Sequence, residues 1–270
     1  MNYKRISFVL MMALYSHLCL GQAPASDQEI LPPVSNPCFP GAYYRKAVSS
    51  FDDWTGISGV VTLGYPKVDE NRLDAKTNQP LDNFSVYMGG NADGKHELDA
   101  GLTWEFSTDA TGKRSSRRNS WRPFWRAGSW NSAPDKPEFT WKPGDKVQIT
   151  VRMIAPEKLH MTIADVNHPE KKFEVDYDVP GFTYEVKRQF KRVNAIDQVH
   201  NEGKPVQATT AKVTGAEWFS TTLYRGVNTK KLPMNKSRFT DMRCSDASHI
   251  KVTATNNEIG AEKIDILGNP

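Results

Sequence analysis

The short strings that betray common catalytic chemistries are missing from this chain. It has no G-x-G-x-x-G, no P-loop, no G-x-S-x-G and no H-E-x-x-H. These absences remove dinucleotide binding, phosphate cradling, a nucleophile elbow and zincin chemistry from consideration. Cysteine is scarce, with three in 270 residues. His96, His160, His168, His200 and His249 form no close ligand pair, so no metal and no cofactor is expected. Charge of one sign is lacking too, because the formal net charge is only +4, and nothing in that balance argues for nucleic acid.

Long hydrophobic runs are absent except at the start. Lys4 and Arg5 precede an apolar run from Ile6 to Leu20, and small residues Cys19 and Gly21 follow or close it. The pattern predicts a signal peptide over residues 1–21, cut after Gly21, because the run is short for a membrane anchor. The mature chain then carries no membrane span and is expected to be secreted or periplasmic and monomeric. Two cysteines survive export, Cys38 and Cys244. An even pair in an oxidising compartment permits one disulfide, with two free buried thiols as the alternative.

What is present is period-two alternation. In LDNFSVYMGGNADGKHELDAGLTWEF, Phe84, Val86 and Met88 share one side of a first run, and Leu98, Ala100, Leu102 and Trp104 share one side of a second. The centre supplies Gly, Asn and Asp for tight turns. The opposite face of the second run carries Asp99, Gly101, Thr103 and Glu105. Glu97 shares that face as well, though with Asp99 alone it makes a poor metal site.

Before this stretch, residues 22–50 hold Pro24, Pro32, Pro33, Pro37 and Pro40 and are expected to form a strap rather than a regular element. FDDWTGISGVVTLGYP is the first strand-like region. After it, Ser107–Asn119 is basic and reads as a solvated loop. SWRPFWRAGSW concentrates Trp121, Phe124, Trp125 and Trp130 with Arg122 and Arg126, either as a wall of a binding cleft or as core rings with polar handles. Residues 146–179 read as an antiparallel meander. Residues 182–199 fit strand or helix, and GAEWFSTTLY, IKVTAT and AEKIDIL read as late strands. Short strands between Gly/Pro turns predict an all-β fold over residues 51–270, a sandwich or barrel in one domain.

The order of three segments resembles the glutamic peptidases of the eqolisin (G1) type. These are FSVYMGGNADG with HELDAGL, then WRPFWR with KPGDKVQITV, then GAEWF. The resemblance implies a concanavalin A-like sandwich of two bent antiparallel sheets. It also implies that Glu217, in the AEW segment, is the general base for a water. Asp99 stands where the family has a glutamine that donates to the developing oxyanion. An ionised aspartate cannot donate, so a catalytic Asp99–Glu217 pair has to work by splitting two carboxyl pKa values, one protonated and one charged. Trp121, Trp125, Glu105 and Arg126 are the expected substrate contacts. The function so implied is an exported hydrolase acting on peptides in acid. The alternative is a non-catalytic sandwich that binds a peptide or carbohydrate.

Overall fold

Alternating apolar residues can be buried only if strands stack face to face, and this chain does so twice over. The computed structural model describes residues 28–33 and 36–270. The expected signal peptide lies outside the described residues. The strands are β1 (Ala42–Val48), β2 (Trp54–Thr62), β3 (Tyr65–Lys67), β4 (Asp82–Ala92), β5 (His96–Thr108), β6 (Arg114–Ala127), β7 (Ser129–Ser132) and β8 (Lys146–Ala155). They continue with β9 (Lys158–Asp165), β10 (Lys172–Asp178), β11 (Arg188–Gln198), β12 (Lys212–Arg225), β13 (Lys230–Pro233), β14 (Thr240–Cys244), β15 (Ile250–Asn256) and β16 (Ala261–Leu267).

The strands form two antiparallel sheets. The seven-stranded sheet runs β14-β1-β11-β4-β5-β6-β7. The nine-stranded sheet runs β10-β9-β8-β2-β12-β16-β15, with β3 and β13 added on β12. The core lies between them. Phe84, Val86 and Met88 of β4 and Leu98, Ala100 and Leu102 of β5 meet Val147, Ile149 and Val151 of β8 and Leu159, Met161 and Ile163 of β9. Burying one such side chain is worth about 1.5–3 kcal/mol, so the alternation fixes which face of each strand turns inward.

A clamp of charge joins the sheets at their β1 and β16 ends. Arg45 of β1 donates Nε and Nη2 to the two carboxylate oxygens of Glu262 on β16, at 3.1 and 2.9 Å. Arg192 of β11 reaches the same carboxylate at 2.8 Å and also donates to Thr221 and to the Gly260 carbonyl. All three side chains are almost fully buried. Nearby, Trp218 of β12 donates its indole N–H to Asn194 of β11, 2.7 Å away.

The structure departs from the sequence reading in three places. Residues 42–48, assigned to the proline-rich strap, form β1 and sit between β14 and β11. Their inward side chains include Arg45, whose buried partner lies 217 residues away and leaves no local trace. The expected basic loop Ser107–Asn119 shrinks to a turn, because β5 and β6 continue as a long hairpin to the Thr108–Arg114 pair. The ambiguous stretch 182–199 resolves as turns followed by strand β11 from Arg188 to Gln198, where Phe190 joins the core while Lys191 faces outward.

Cys38 and Cys244 form a disulfide. It ties the segment ahead of β1 to the end of edge strand β14, closing a loop of 206 residues.

Candidate functional site

The outer face of the seven-stranded sheet, turned away from the core, carries a groove. On each strand the residues that alternate with the core face it. These are Tyr44 and Lys46 on β1, Lys191 and Asp197 on β11, Ser85 and Tyr87 on β4, Glu97 and Asp99 on β5, and Phe124 and Arg126 on β6. Residues 39–41 and 198–202 rim one end, and Trp130 of β7 stands at the other side. The cavity measures about 440 Å³. A second hollow of about 360 Å³ adjoins it, shares Glu97, Asp99 and Arg126, and runs on to Val179 and Pro180.

Its centre is an ion cluster made possible by a glycine. In the sheet register Lys191 of β11 lies opposite Gly89 of β4, and Gly89 lies opposite Asp99 of β5. A Cβ at residue 89 would come within 2.8 Å of both Asp99 Oδ1 and the Lys191 side chain. Without one, the lysine and the aspartate meet directly over the middle strand, with Nζ 2.8 Å from Oδ1. Lys191 also donates to Glu97. Burial works against the Lys191 charge, but the two carboxylates outweigh it and hold the ammonium above its ordinary range. Burial likewise pushes Glu97 up, yet Lys191, with help from Lys46 and Arg126, brings it below the usual carboxylate range.

Asp197 is the perturbed acid of the groove. Burial pushes its carboxyl up to about 6, with Asp99 adding to the rise, while a hydrogen bond from Ser85 Oγ at 2.8 Å and the Lys191 charge oppose it. An aromatic wall closes the side formed by β4, β6 and β7. Trp130 stacks on Phe124 with ring centroids 4.4 Å apart, and Phe124 meets Tyr87 edge to face at 5.8 Å. Half of Trp130 stays open to solvent.

The expected catalytic pair is not assembled. Asp99 lies in this groove, but Glu217 sits on β12 in the other sheet. Trp218 is in the core, so Glu217 must point to the opposite side of its strand, the outer face of the nine-stranded sheet. There it lies 3.7 Å from Lys263 on the neighbouring strand. The whole sandwich separates the two acids, and packed sheets alone are about 10 Å apart.

The tryptophan expectation also needs correction. Trp121 is buried in the core and donates its indole N–H to the Gly64 carbonyl at 3.1 Å. Trp125 points the same way and stacks on Phe173 of the facing sheet at 5.7 Å. The parity at the end of β6 explains both, since the alternating side chains Phe124 and Arg126 face the groove. Glu105 shares the outer face but is engaged by Arg122 and does not line the groove. Sequence reasoning missed Asp197, Lys191, Lys46 and Tyr87. The available signal was their outward parity, clear for Tyr87 on β4 but blunted on β1 and β11, where Arg45, Arg192 and Asn194 occupy inward positions. Among the described residues, no group of three or more His, Cys, Asp or Glu side chains is placed to hold a metal ion.

No protein-family model matches the chain, and no curated protein sequence matches it. Solved structures do. The chain is similar to the crystal structure of scytalido-glutamic peptidase with a transition state analog inhibitor, at a TM-score of 0.51 and 9% identity over 84% of this chain and 98% of that one. A structure of SCP-B, a member of the eqolisin family, in complex with the tripeptide Ala-Ile-His, gives 0.48 at 8% identity over the same shares, too slight to add weight. At such identity the likeness establishes a fold, a distant glutamic-peptidase-like β-sandwich of two antiparallel sheets.

Proposed function

We propose that this protein is an exported peptide-binding β-sandwich, which holds an extended chain in the outer groove of its seven-stranded sheet without cleaving it. The observation that carries this reading is the placement of the acids. Asp99 is held by Lys191 on one outer face, and Glu217 occupies the other. A water-activating pair drawn from those two residues has no common surface on which to act.

The groove suits a peptide on chemical grounds. It offers charges of both signs for backbone and side-chain polar groups, and an aromatic wall of Trp130, Phe124 and Tyr87 for apolar ones. Its two adjoining hollows give it length. The neighbour of known structure is a peptidase, and its fold accommodates a transition state analog inhibitor. The disulfide fits an oxidising compartment, where such bonds persist.

One observation favours a second reading. Asp197, its carboxyl raised to about 6, shares the groove with Asp99, and a carboxyl so tuned can give or take a proton in mild acid. In that reading Asp197, and not Glu217, is the acid–base group of a hydrolase.

Incubation with casein across about pH 2–7 separates the readings, followed by titration calorimetry with its tryptic peptides and with oligosaccharides. The binding reading expects peptide affinity that W130A weakens, and no turnover. Turnover abolished by D197N supports the second reading. Turnover abolished by E217Q overturns both, and binding of oligosaccharides alone replaces the peptide with a sugar.

A further inference from the structure

We propose that the peptide taken by the groove is a proline-rich segment in the polyproline II conformation, held by its rings and carbonyls rather than by its amides. This rests on the peptide-binding reading above and names the class of peptide.

Backbone hydrogen bonds are unavailable on the groove floor. Its strands β1, β11, β4, β5 and β6 each have a neighbour on both sides, so their N–H and C=O groups are used within the sheet. A ligand lying on this face cannot extend the sheet as an added strand would. Its own amides and carbonyls must be met by side chains or by water.

Beside the aromatic wall those side chains are mainly donors. The Trp130 indole and the Tyr87 phenol line the cavity and make no hydrogen bond with any described residue. Burial, with help from Asp99 and Asp197, keeps the Tyr87 phenol protonated well above its ordinary range. Tyr44 takes the Phe39 amide on its oxygen and keeps its own proton to give. Arg126 and Lys46 line the same cavity, and an indole, a guanidinium and an ammonium cannot accept. The carboxylates lie elsewhere or are engaged. Glu97 and Asp99 are held by Lys191. Asp197, opposite Ala42 and Asn83 in the register, and Glu202 belong to the end rimmed by residues 198–202.

A peptide with ordinary amides leaves N–H groups unmet along such a wall. Proline removes the N–H and keeps the carbonyl. Polyproline II has no internal hydrogen bonds, so it presents its carbonyls outward, and it is ordered before it binds. Its rings dock on aromatic faces. The groove offers Trp130 stacked on Phe124, Tyr87 set edge to face against Phe124, and Phe39 on the lip, more than half exposed.

The molecule already holds its own proline-rich strap in this manner. The Gln28 carbonyl accepts from Arg225 Nη2 at 3.1 Å, and the Pro33 carbonyl accepts from Thr240 Oγ1 at 2.6 Å. Where the strap has an amide to satisfy, at Ile30, the carboxylate of the buried Asp52 receives it at 3.0 Å. No such uncommitted carboxylate stands beside Trp130.

Three synthetic nine-residue peptide pools provide the test, all acetylated, amidated and free of charged side chains. They share their other positions and carry proline, alanine or N-methylalanine at positions 4 and 7, which lie one polyproline turn apart. N-methylalanine lacks the N–H but has no ring. Binding is measured by titration calorimetry on the wild-type protein, W130A and Y87F, with near-UV circular dichroism confirming that each variant folds. The penalty for an unmet amide predicts that wild type binds the proline pool about tenfold or more tighter than the alanine pool. N-methylalanine is expected nearer to proline than to alanine. W130A should erase most of the preference, and Y87F should reduce it. Equal binding of the proline and alanine pools overturns this inference while leaving the peptide reading intact. Binding of none of the pools overturns this inference, and the peptide reading with it if the casein peptides fail as well. N-methylalanine binding no better than alanine overturns the role given to the missing amide. A preference that survives in W130A overturns the role of the wall.

Discussion

Replacing Glu262 by glutamine tests whether the buried clamp, and not only the apolar core, holds the two sheets together. Glu262 is the common acceptor for two arginines that are themselves sealed from solvent. Arg45 uses both carboxylate oxygens, and Arg192 shares one of them. An amide keeps the volume but offers one oxygen, so an NH₂ group must face a guanidinium, donor against donor. Arg192 then loses the carboxylate it pairs with, while Arg45 keeps Asp241, 2.9 Å from its Nη1. Arg192 already bears the strain of its position: burial, assisted by the nearby Arg45 charge, pulls it down to about 10 even with Glu262 in place.

Removing one member of a buried ion pair costs about 3–5 kcal/mol, chiefly because the remaining charge is stranded. For a domain of this size that corresponds to a fall in Tm of roughly 6–20 °C, at about 2–4 °C per kcal/mol. The assay is urea unfolding followed by circular dichroism, where the midpoint should drop while the slope stays constant. The double variant R192M/E262Q should lose no more than E262Q alone, since it removes the stranded charge. A loss below about 1 kcal/mol for E262Q would refute the reasoning and return the stability of this end of the sandwich to apolar contact.

Three further outcomes follow from the same geometry. Asp197 has a folded-state pKa raised to about 6, above the unfolded value, so its contribution to stability is intact in strong acid and is lost as pH rises through that range. D197N should therefore stabilise the protein at pH 7, by on the order of 1–2 kcal/mol, and leave it unchanged at pH 3, as thermal melts at the two pH values would register. Trp121 is core, so W121A should destabilise by about 3–5 kcal/mol in urea titration, while W130A should weaken ligand binding and leave the unfolding midpoint nearly unmoved. Removing the disulfide with C38S/C244S should cost up to about 5 kcal/mol by the loop-closure argument, measured against the oxidised wild type.

Much of the fold was legible because burial in a sheet has a period of two. Phe84, Val86 and Met88, the inward residues of β5, and the meander from β8 to β10 all fell where their alternation put them. The pairing of Cys38 with Cys244 was open to a simple count. The candidate site was less legible because it depends on which sheet each strand joins. Glu217 beside Trp218 reveals that the acid points outward, but nothing local tells that β12 pairs with β2 and β16 rather than with β4 or β11. On β6 both parities are aromatic, so the sequence could not say whether Trp121 and Trp125 or Phe124 faced the ligand. The cross-strand pairs of Trp104 with Trp121 and of Ala100 with Trp125 decide it, and they are set by a register that only the folded hairpin fixes. β1 was hidden for a different reason. Its charged Arg45 faces inward, against the usual pattern, because its partner is supplied from the far end of the chain.

The bond between Cys38 and Cys244 has a consequence beyond stability. Phe39, Pro40 and Gly41 follow Cys38 directly and form the lip of the groove, and Tyr44, whose hydroxyl accepts the Phe39 amide, lines its floor. The mouth of the groove is thus stitched to a strand more than 200 residues downstream. Its aperture is finished by oxidation, so material prepared under thiols has a rim held by hydrogen bonds alone, from Gly203 to the Pro40 carbonyl and from Gln198 to the Gly41 carbonyl.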